Sequence, residues 1–418
     1  MNSNHSYQLN GADRFQLFFD SVARKNTGTG NVIRASVLLK GILEEAELRR
    51  QIIGNEAIRF LSGISLKKKW YSPLYYFAEK KSVDPESIIT FHRDENHIKV
   101  LERDCSFYFD SPIHLDVIYK NDQTQIIFSV NHILMDHTGI ENLLATFTEA
   151  PESPVMQAKS AVGKFSLKKL RDAVNATLFI ASISGWNLKR LRGKSGSGKA
   201  ALEVLELNAE ETLQVKRRHT NEIGTNALSF YLGCTLYSLQ RTPELLDEKS
   251  GNYFIAVPVD RRLPGNKNFI LSNFISFIYF HAKADEVKSV KDAARLISSQ
   301  TISQARNKIP GKFSSLMDLF RLIPARVYSA FINLPSNGHS GTFAFSLLSN
   351  SRLENKMFLG LPVLDVTHYA PVISPPGLNI VFNEFNDKLK IICSFDESRI
   401  SKEKTQELLQ TTKKNLLS

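Results

Sequence analysis

One stretch, Gln125–Phe147 (QIIFSVNHILMDHTGIENLLATF), constrains the fold more than any other part of the chain. It opens as an apolar strand and changes period within a few residues. Asn131-His132 ends the strand. Ile140, Leu143, Leu144 and Phe147 then recur at helical spacing, and Thr138 stands three residues before Glu141, which predicts a capping-box helix start. The spacing therefore places His132 at a strand end and Asp136 in a tight connection. A strand end feeding a helix commonly displays reactive side chains. Imidazole is the side chain best suited to accept a proton near neutral pH. An acid four residues on can orient the connection or pair with an arginine.

Strand and helix patterns alternate along the remainder. Asp13–Arg24 predicts a short amphipathic helix with Phe15, Phe18, Phe19 and Val22 on one side. Asn31–Lys40 alternates as a strand, Leu43–Ile53 has helical spacing, and Ser87–Phe91, Ile113–Tyr119 and Gln125–Val130 read as strands. After a basic segment the alternation resumes, with strands at Leu202–Leu207, Tyr253–Val259, Phe274–Phe280, Phe343–Leu348, Leu378–Phe382 and Leu389–Phe395. Helices are expected at Glu210–Arg218, Asn226–Leu239 and about Lys402–Leu416. The mixture predicts an α/β or α+β protein of two comparable lobes, residues 1–158 and 201–418, joined by a crossover at 159–200.

Composition narrows the function classes. The chain has 418 residues, enough for two or three domains, and its three cysteines exclude a disulfide scaffold. No apolar run reaches the roughly 18–20 residues of a membrane span, and the first residues contain no signal-peptide core, so a cytoplasmic location is expected. The net charge is +11, of which residues 159–200 carry +9. One basic strap on a nearly neutral body argues against a nucleic-acid binder. Apolar residues within the strap (Leu178, Phe179, Ile180, Ile183, Trp186) make a solvated crossover or a contact with a membrane surface or an acidic carrier protein the expected roles.

Asn131-His132-Ile133-Leu134-Met135-Asp136-His137-Thr138-Gly139 resembles the HHxxxDG signature of the chloramphenicol-acetyltransferase-like acyltransferases. That superfamily includes peptide-synthetase condensation domains, plant BAHD enzymes, wax-ester synthases and polyketide-associated acyltransferases. Ala256-Val257-Pro258-Val259-Asp260-Arg261-Arg262 is similar to its VPVDxR strand end, and Leu271–Phe277 to the segment that follows. Thr225–Leu228, Phe345–Asn350 and Pro376–Asp387 resemble further elements, in the right order. The resemblance implies two similar α/β lobes with an active-site tunnel between them. It implies direct acyl transfer from a CoA or carrier-protein thioester, as co-substrate and with no bound cofactor, to an acceptor hydroxyl. His132 is then the general base. Asp136 is structural and pairs with Arg262, or with Arg261 as the alternative. His137, Gly139, Asn273, Ser276 and Ser349 are the candidates for lining the tunnel.

The sequence departs from that signature where Asn131 replaces the first histidine and His137 the glycine after Asp136. Two rival readings follow: an amide-forming condensation enzyme, which the same base would serve, and an inactive lobe pair that only binds. No metal site is expected, since His132 and His137 lack a clear further ligand. Gly193–Ala200 nearly matches a phosphate-binding loop, but Ala200 provides no hydroxyl and no strand precedes it, so it reads as flexible linker.

Overall fold

Strands and helices alternate in two series, as the periodicities predict. The computed structural model describes residues 6–68, 70, 72–79, 85–93, 102–107, 111–149, 166–184, 188–193, 198–247, 251–263, 267–324, 327 and 341–418. The first series is β1 (Ser6–Gln8), α1 (Gly11–Thr27), β2 (Val32–Lys40), α2 (Glu45–Gly54), α3 (Glu56–Ser62), β3 (Ile64–Lys68), β4 (Tyr75–Glu79), β5 (Ile89–Arg93), β6 (Ile113–Lys120), β7 (Gln123–Asn131) and α4 (His137–Ala145). The second begins with α5 (Leu167–Ser184), β8 (Ala200–Leu207), α6 (Ala209–Arg217), α7 (Ala227–Gln240), β9 (Asn252–Asp260) and β10 (Ile275–Lys283). It ends with α8 (Val290–Arg306), α9 (Ile309–Phe320), β11 (Ala344–Leu347), β12 (Met357–Phe358), β13 (Leu361–Tyr369), β14 (Leu378–Phe385), β15 (Lys388–Asp396) and α10 (Lys402–Leu417).

Of the four sheets among the described residues, the two with most strands carry the two main cores. The larger runs β12-β13-β2-β7-β6-β5 and the smaller β11-β14-β15-β8. In the larger, β2 lies antiparallel to β7, with Val32 opposite Asn131, and Ala35, Val37 and Leu39 pack with Ile140, Leu143 and Leu144 of α4. In the smaller, Ile380 and Phe382 of β14 pack with Ile391 and Cys393 of β15 and with Phe230 and Leu236 of α7. The β14–β15 turn puts Asn386 and Asp387 at φ 47° and 59°, a left-handed pair that Asn and Asp tolerate in tight hairpins.

The two halves of the sequence do not each keep to one sheet. β13, in the second half, pairs antiparallel with β2 and so completes the larger sheet. No strand was expected at Leu361–Tyr369, because only Val366–Tyr369 are consistently buried and the apolar alternation is broken by Asp365 and His368. The division at 201–418 thus understates the larger lobe's share of the chain.

The basic crossover also differs from a flexible linker where it is described. α5 is an eighteen-residue helix whose Ala173, Ala176, Phe179, Ile180 and Ile183 pack with Phe313, Leu316 and Met317 of α9. Lys169 Nζ meets Asp318 at 2.6 Å. The opposite side leaves Leu167, Leu170, Val174 and Leu178 exposed. Residues 188–193 are tied down too: the Lys189 N–H donates to Asn252 O (2.7 Å) and the Arg192 N–H to Leu245 O (2.9 Å). Trp186 and residues 194–197 of the glycine-rich run lie outside the described residues. Among the described residues no helix is long and apolar enough to cross a membrane.

In α1 the sequence pattern identified one face and missed the other. Phe18 is buried, as expected, but so are Asp13, Arg14, Gln16 and Asp20. Asp20 accepts from Asn131 at the end of β7, Asp13 accepts from Asn273, Gln16 accepts from Asn31, and the Arg14 guanidinium lies over the Tyr75 ring.

Candidate active site

β7 ends at Asn131, which occupies the slot of the signature's first histidine. Its Nδ2 donates to Asp20 Oδ1 (3.1 Å) and Cys105 O (2.8 Å), and its Oδ1 accepts from the Ile133 N–H (3.1 Å). An amide that both donates and accepts locks the turn. The next residue, His132, donates its backbone N–H to Asn31 O (2.7 Å). Its ring Nδ1 lies 2.8 Å from Met135 O. A carbonyl oxygen can only accept, so Nδ1 carries the proton and the neutral ring has its lone pair on Nε2. Burial lowers the His132 pKa from the ordinary value, opposed by the Met135 carbonyl and the Asp136 charge. The imidazole is therefore uncharged at neutral pH and ready to accept a proton.

Asp136 has a different job. Arg262 donates to it twice, Nη2 to Oδ1 (2.7 Å) and Nη1 to Oδ2 (2.9 Å). The Phe274 N–H donates to Oδ2 (2.8 Å) and the Gly139 N–H to Oδ1 (3.0 Å). Burial pushes this carboxyl up, but the Arg262 charge and these donors outweigh it and hold the pKa below the ordinary value. The Arg262 guanidinium also lies over the Phe274 ring, 4.7 Å from its centre. Arg261, the alternative partner, is exposed, and its backbone N–H donates to Phe274 O. The Gly139 contact makes Asp136 the N-cap of α4, so the expected Thr138–Glu141 capping box is corrected. Thr138 instead donates to Asp260 Oδ2, and Glu141 turns inward.

The segment 270–274 crosses the turn. The Ser272 N–H donates to Leu134 O (2.6 Å), with Ser272 in the left-handed region at φ 81°. Asn273 Nδ2 lies within hydrogen-bond reach of His132 O (2.9 Å), Ile133 O (3.1 Å) and Asp13 Oδ1 (3.0 Å), and its N–H donates to the same Asp13 oxygen (2.7 Å). Burial pushes Asp13 up to about 7 against the pull of these donors. Gly139 lets the crossing come close: a Cβ there would stand 2.6 Å from Ile270 O and from Met135 Cβ.

Beside the turn lies a cavity of about 570 Å³. Its walls are mainly apolar: Phe15 and Phe19 of α1, Ile180 of α5, Phe277 and Tyr279 of β10, and Phe313 of α9. His132, His137 and His368 also line it, and Ser349 sits exposed on its rim. Three expected lining residues lie off the wall. Gly139 is inside the α4 crossing, Asn273 is a buried clamp, and Ser276 is fully buried with its hydroxyl donating to Pro310 O (2.6 Å). Short polar side chains near a motif read as substrate contacts, but here backbone carbonyls claim them first.

Two residues of the site gave no local signal. Glu141 Oε1 lies 2.6 Å from Nε2 of His368, 227 residues away in sequence. Its other oxygen accepts from the Ser351 hydroxyl (3.0 Å) and the Arg352 N–H (2.7 Å). Burial pushes Glu141 up, but the His368 contact dominates and holds it down at about 2. The rings of His137 and His368 meet edge to face with centres 4.5 Å apart. Burial, with His368 beside it, takes His137 down to about 4. His137 Nε2 is buried and has no hydrogen-bond partner among the described residues.

No family model matches the sequence, and no curated protein matches it. Solved structures do match, over nearly the whole chain. The first condensation domain of the calcium-dependent antibiotic synthetase, in complex with a substrate analogue, aligns with a TM-score of 0.74 at 13% identity, covering 100% of this chain and 96% of that one. Trichothecene 15-O-acetyltransferase from Fusarium sporotrichioides aligns at 0.73 and 11% identity, covering 99% and 95%. The condensation domain of the monacolin K polyketide synthase aligns at 0.67 and 9% identity, covering 100% and 98%. The chain has the two-lobed fold of the condensation domains and acyltransferases, the fold that the signature residues imply.

Proposed function

We propose that this protein is an acyltransferase that moves an acyl group from a CoA or carrier-protein thioester to an acceptor hydroxyl, with His132 as general base. The observation that carries the reading is the His132 ring, fixed by Met135 O in the tautomer that leaves Nε2 able to accept a proton, on the wall of an apolar cavity. An alcohol has a pKa far above 7 and attacks a thioester poorly until its proton is removed. Nε2 takes that proton as the acceptor oxygen bonds to the thioester carbonyl. The tetrahedral intermediate then collapses, the C–S bond breaks, and the thiolate leaves and regains the proton from His132. Asp136 borders the cavity but has both oxygens occupied, so its role is to hold the connection through Arg262.

Amide formation is the second reading, because the same base would deprotonate an amine and the similar structures include condensation domains beside an O-acetyltransferase. The excess charge of 159–200 would attract CoA phosphates or an acidic carrier protein. Incubation with a panel of acyl-CoAs and acyl-loaded carriers, with detection of free thiol, tests the reading. Thiol release that depends on an added alcohol, with an alkali-labile product, is expected. An alkali-stable product from an amine replaces it with the amide reading. No release from any donor, with donor binding retained, replaces it with a binding module.

A further inference from the structure

His137, Glu141 and His368 form a cluster that general-base acyl transfer does not use. His137 and Glu141 are four residues apart on α4, which puts them on one face of the helix. His368 comes from β13 and meets them across the larger lobe. One nitrogen from each histidine and one Glu141 oxygen all lie within 4.8 Å of one another.

We propose that these three residues form a binding site for a divalent transition-metal ion, with zinc the ion that the donor set favours. Two imidazoles and one carboxylate are a zinc ligand set, and the three-ligand form keeps a position open. Four features of this chain fit. His137 Nε2 is buried without a hydrogen-bond partner among the described residues, a state that costs free energy unless something binds it. Glu141 is oriented from behind by the Ser351 hydroxyl and the Arg352 N–H, so one carboxylate oxygen is held while the other faces His368. Donors around tetrahedral zinc stand about 3.4 Å apart, given bonds of about 2.0–2.1 Å. The Glu141–His368 pair, at 2.6 Å, would open to that spacing as the proton between them leaves, and the His137 nitrogen would draw in from within 4.8 Å. Finally, His137 and His368 both line the cavity that holds His132, so the open position faces any molecule bound there. The ion would displace the proton shared between His368 and Glu141 and offer its free position to an oxygen or nitrogen of that molecule. His137 stands where the resemblance has glycine, so the site belongs to this chain's departure from the signature.

The test uses the full chain, stripped with a chelator and dialysed against zinc. The expected result is about one zinc retained per chain, with an X-ray absorption shell of nitrogen and oxygen at about 2.0–2.1 Å and imidazole outer-shell scattering. His137→Asn should weaken zinc binding by more than the ~10–100-fold that an outer-shell change costs, and so should His368→Ala. Circular dichroism confirms that each variant is folded. The absorption spectrum of the unaltered protein needs no variant and decides the matter if either fails to fold. A zinc-free protein, a shell of sulfur or of six oxygens, or unchanged affinity in folded His137→Asn overturns the proposal. Because the readout is zinc itself, a protein that binds zinc but turns over no thioester would keep this site and lose the acyltransferase reading, and the converse separates them equally.

Discussion

His132 and His137 lie five residues apart in one turn, line the same cavity, and are both held uncharged by burial, yet the fold treats them differently. His132 has its Nδ1 proton committed to Met135 O, and its backbone is pinned by Asn31 and Asn273. His137 begins a helix, has an Nε2 without a partner among the described residues, and faces a second histidine and a glutamate. Burial alone therefore does not distinguish a base from a bystander. What distinguishes them is which nitrogen is already occupied, and by what. A fixed tautomer makes a proton acceptor. An unfixed imidazole beside a carboxylate and another imidazole has the donor geometry of the ligand we propose His137 to be.

The comparison depends on the rigid connection between the two, and breaking that connection should have the largest effect. Asp136→Ala leaves the Arg262 guanidinium buried without its partner and should destabilise the protein by ~3–5 kcal/mol. A thermal melt checks this, and an unchanged melting temperature would separate the connection from the Arg262 pair. Gly139→Ala acts on the other side of the turn. Its Cβ would press on Ile270 O and Met135 Cβ, and the segment 270–274 must yield, at ~1–3 kcal/mol. Denaturant titration measures that cost, and a loss of turnover larger than the loss of stability would show that the crossing also positions His132.

Asp136 and Arg262 were legible because each lies within a short run of sequence whose strand-end geometry is local. The position of His132, directly after the end of β7, was legible for the same reason. Asn273 and Ser276 were expected at the tunnel and are not on its wall, since a sequence names a polar side chain but not the carbonyl that captures it. Glu141 and His368 were invisible as a pair. Glu141 looked like a capping residue, and His368 sits in a strand with no clear alternation. Nor does amphipathic spacing in α1 reveal that its polar side is buried, because a buried polar face needs partners from 131–136 and 273, far away in sequence.

A smaller effect sharpens the assignment of the base. Burial holds the His132 pKa below the ordinary 6.5, while the Met135 carbonyl and the Asp136 charge pull the other way. The base form therefore persists at pH values where a free imidazole is already protonated. The profile of kcat/KM should be flat above 6.5 and fall only on further acidification, as His132 gains its proton. An acid limb centred above 6.5 would mean that another group supplies the base.

The most direct measurement pairs His132→Ala with His137→Gly in the thioester assay, each checked for folding by circular dichroism. His132→Ala should lose at least ~10²–10⁴-fold in rate while staying folded, and intact-mass spectra with donor alone should show no acylated protein, because transfer is direct. His137→Gly, which restores the signature's glycine, should keep general-base turnover. A folded His132→Ala protein with near-normal rate, beside an inactive but folded His137→Gly protein, would contradict the account and move the base to the other histidine.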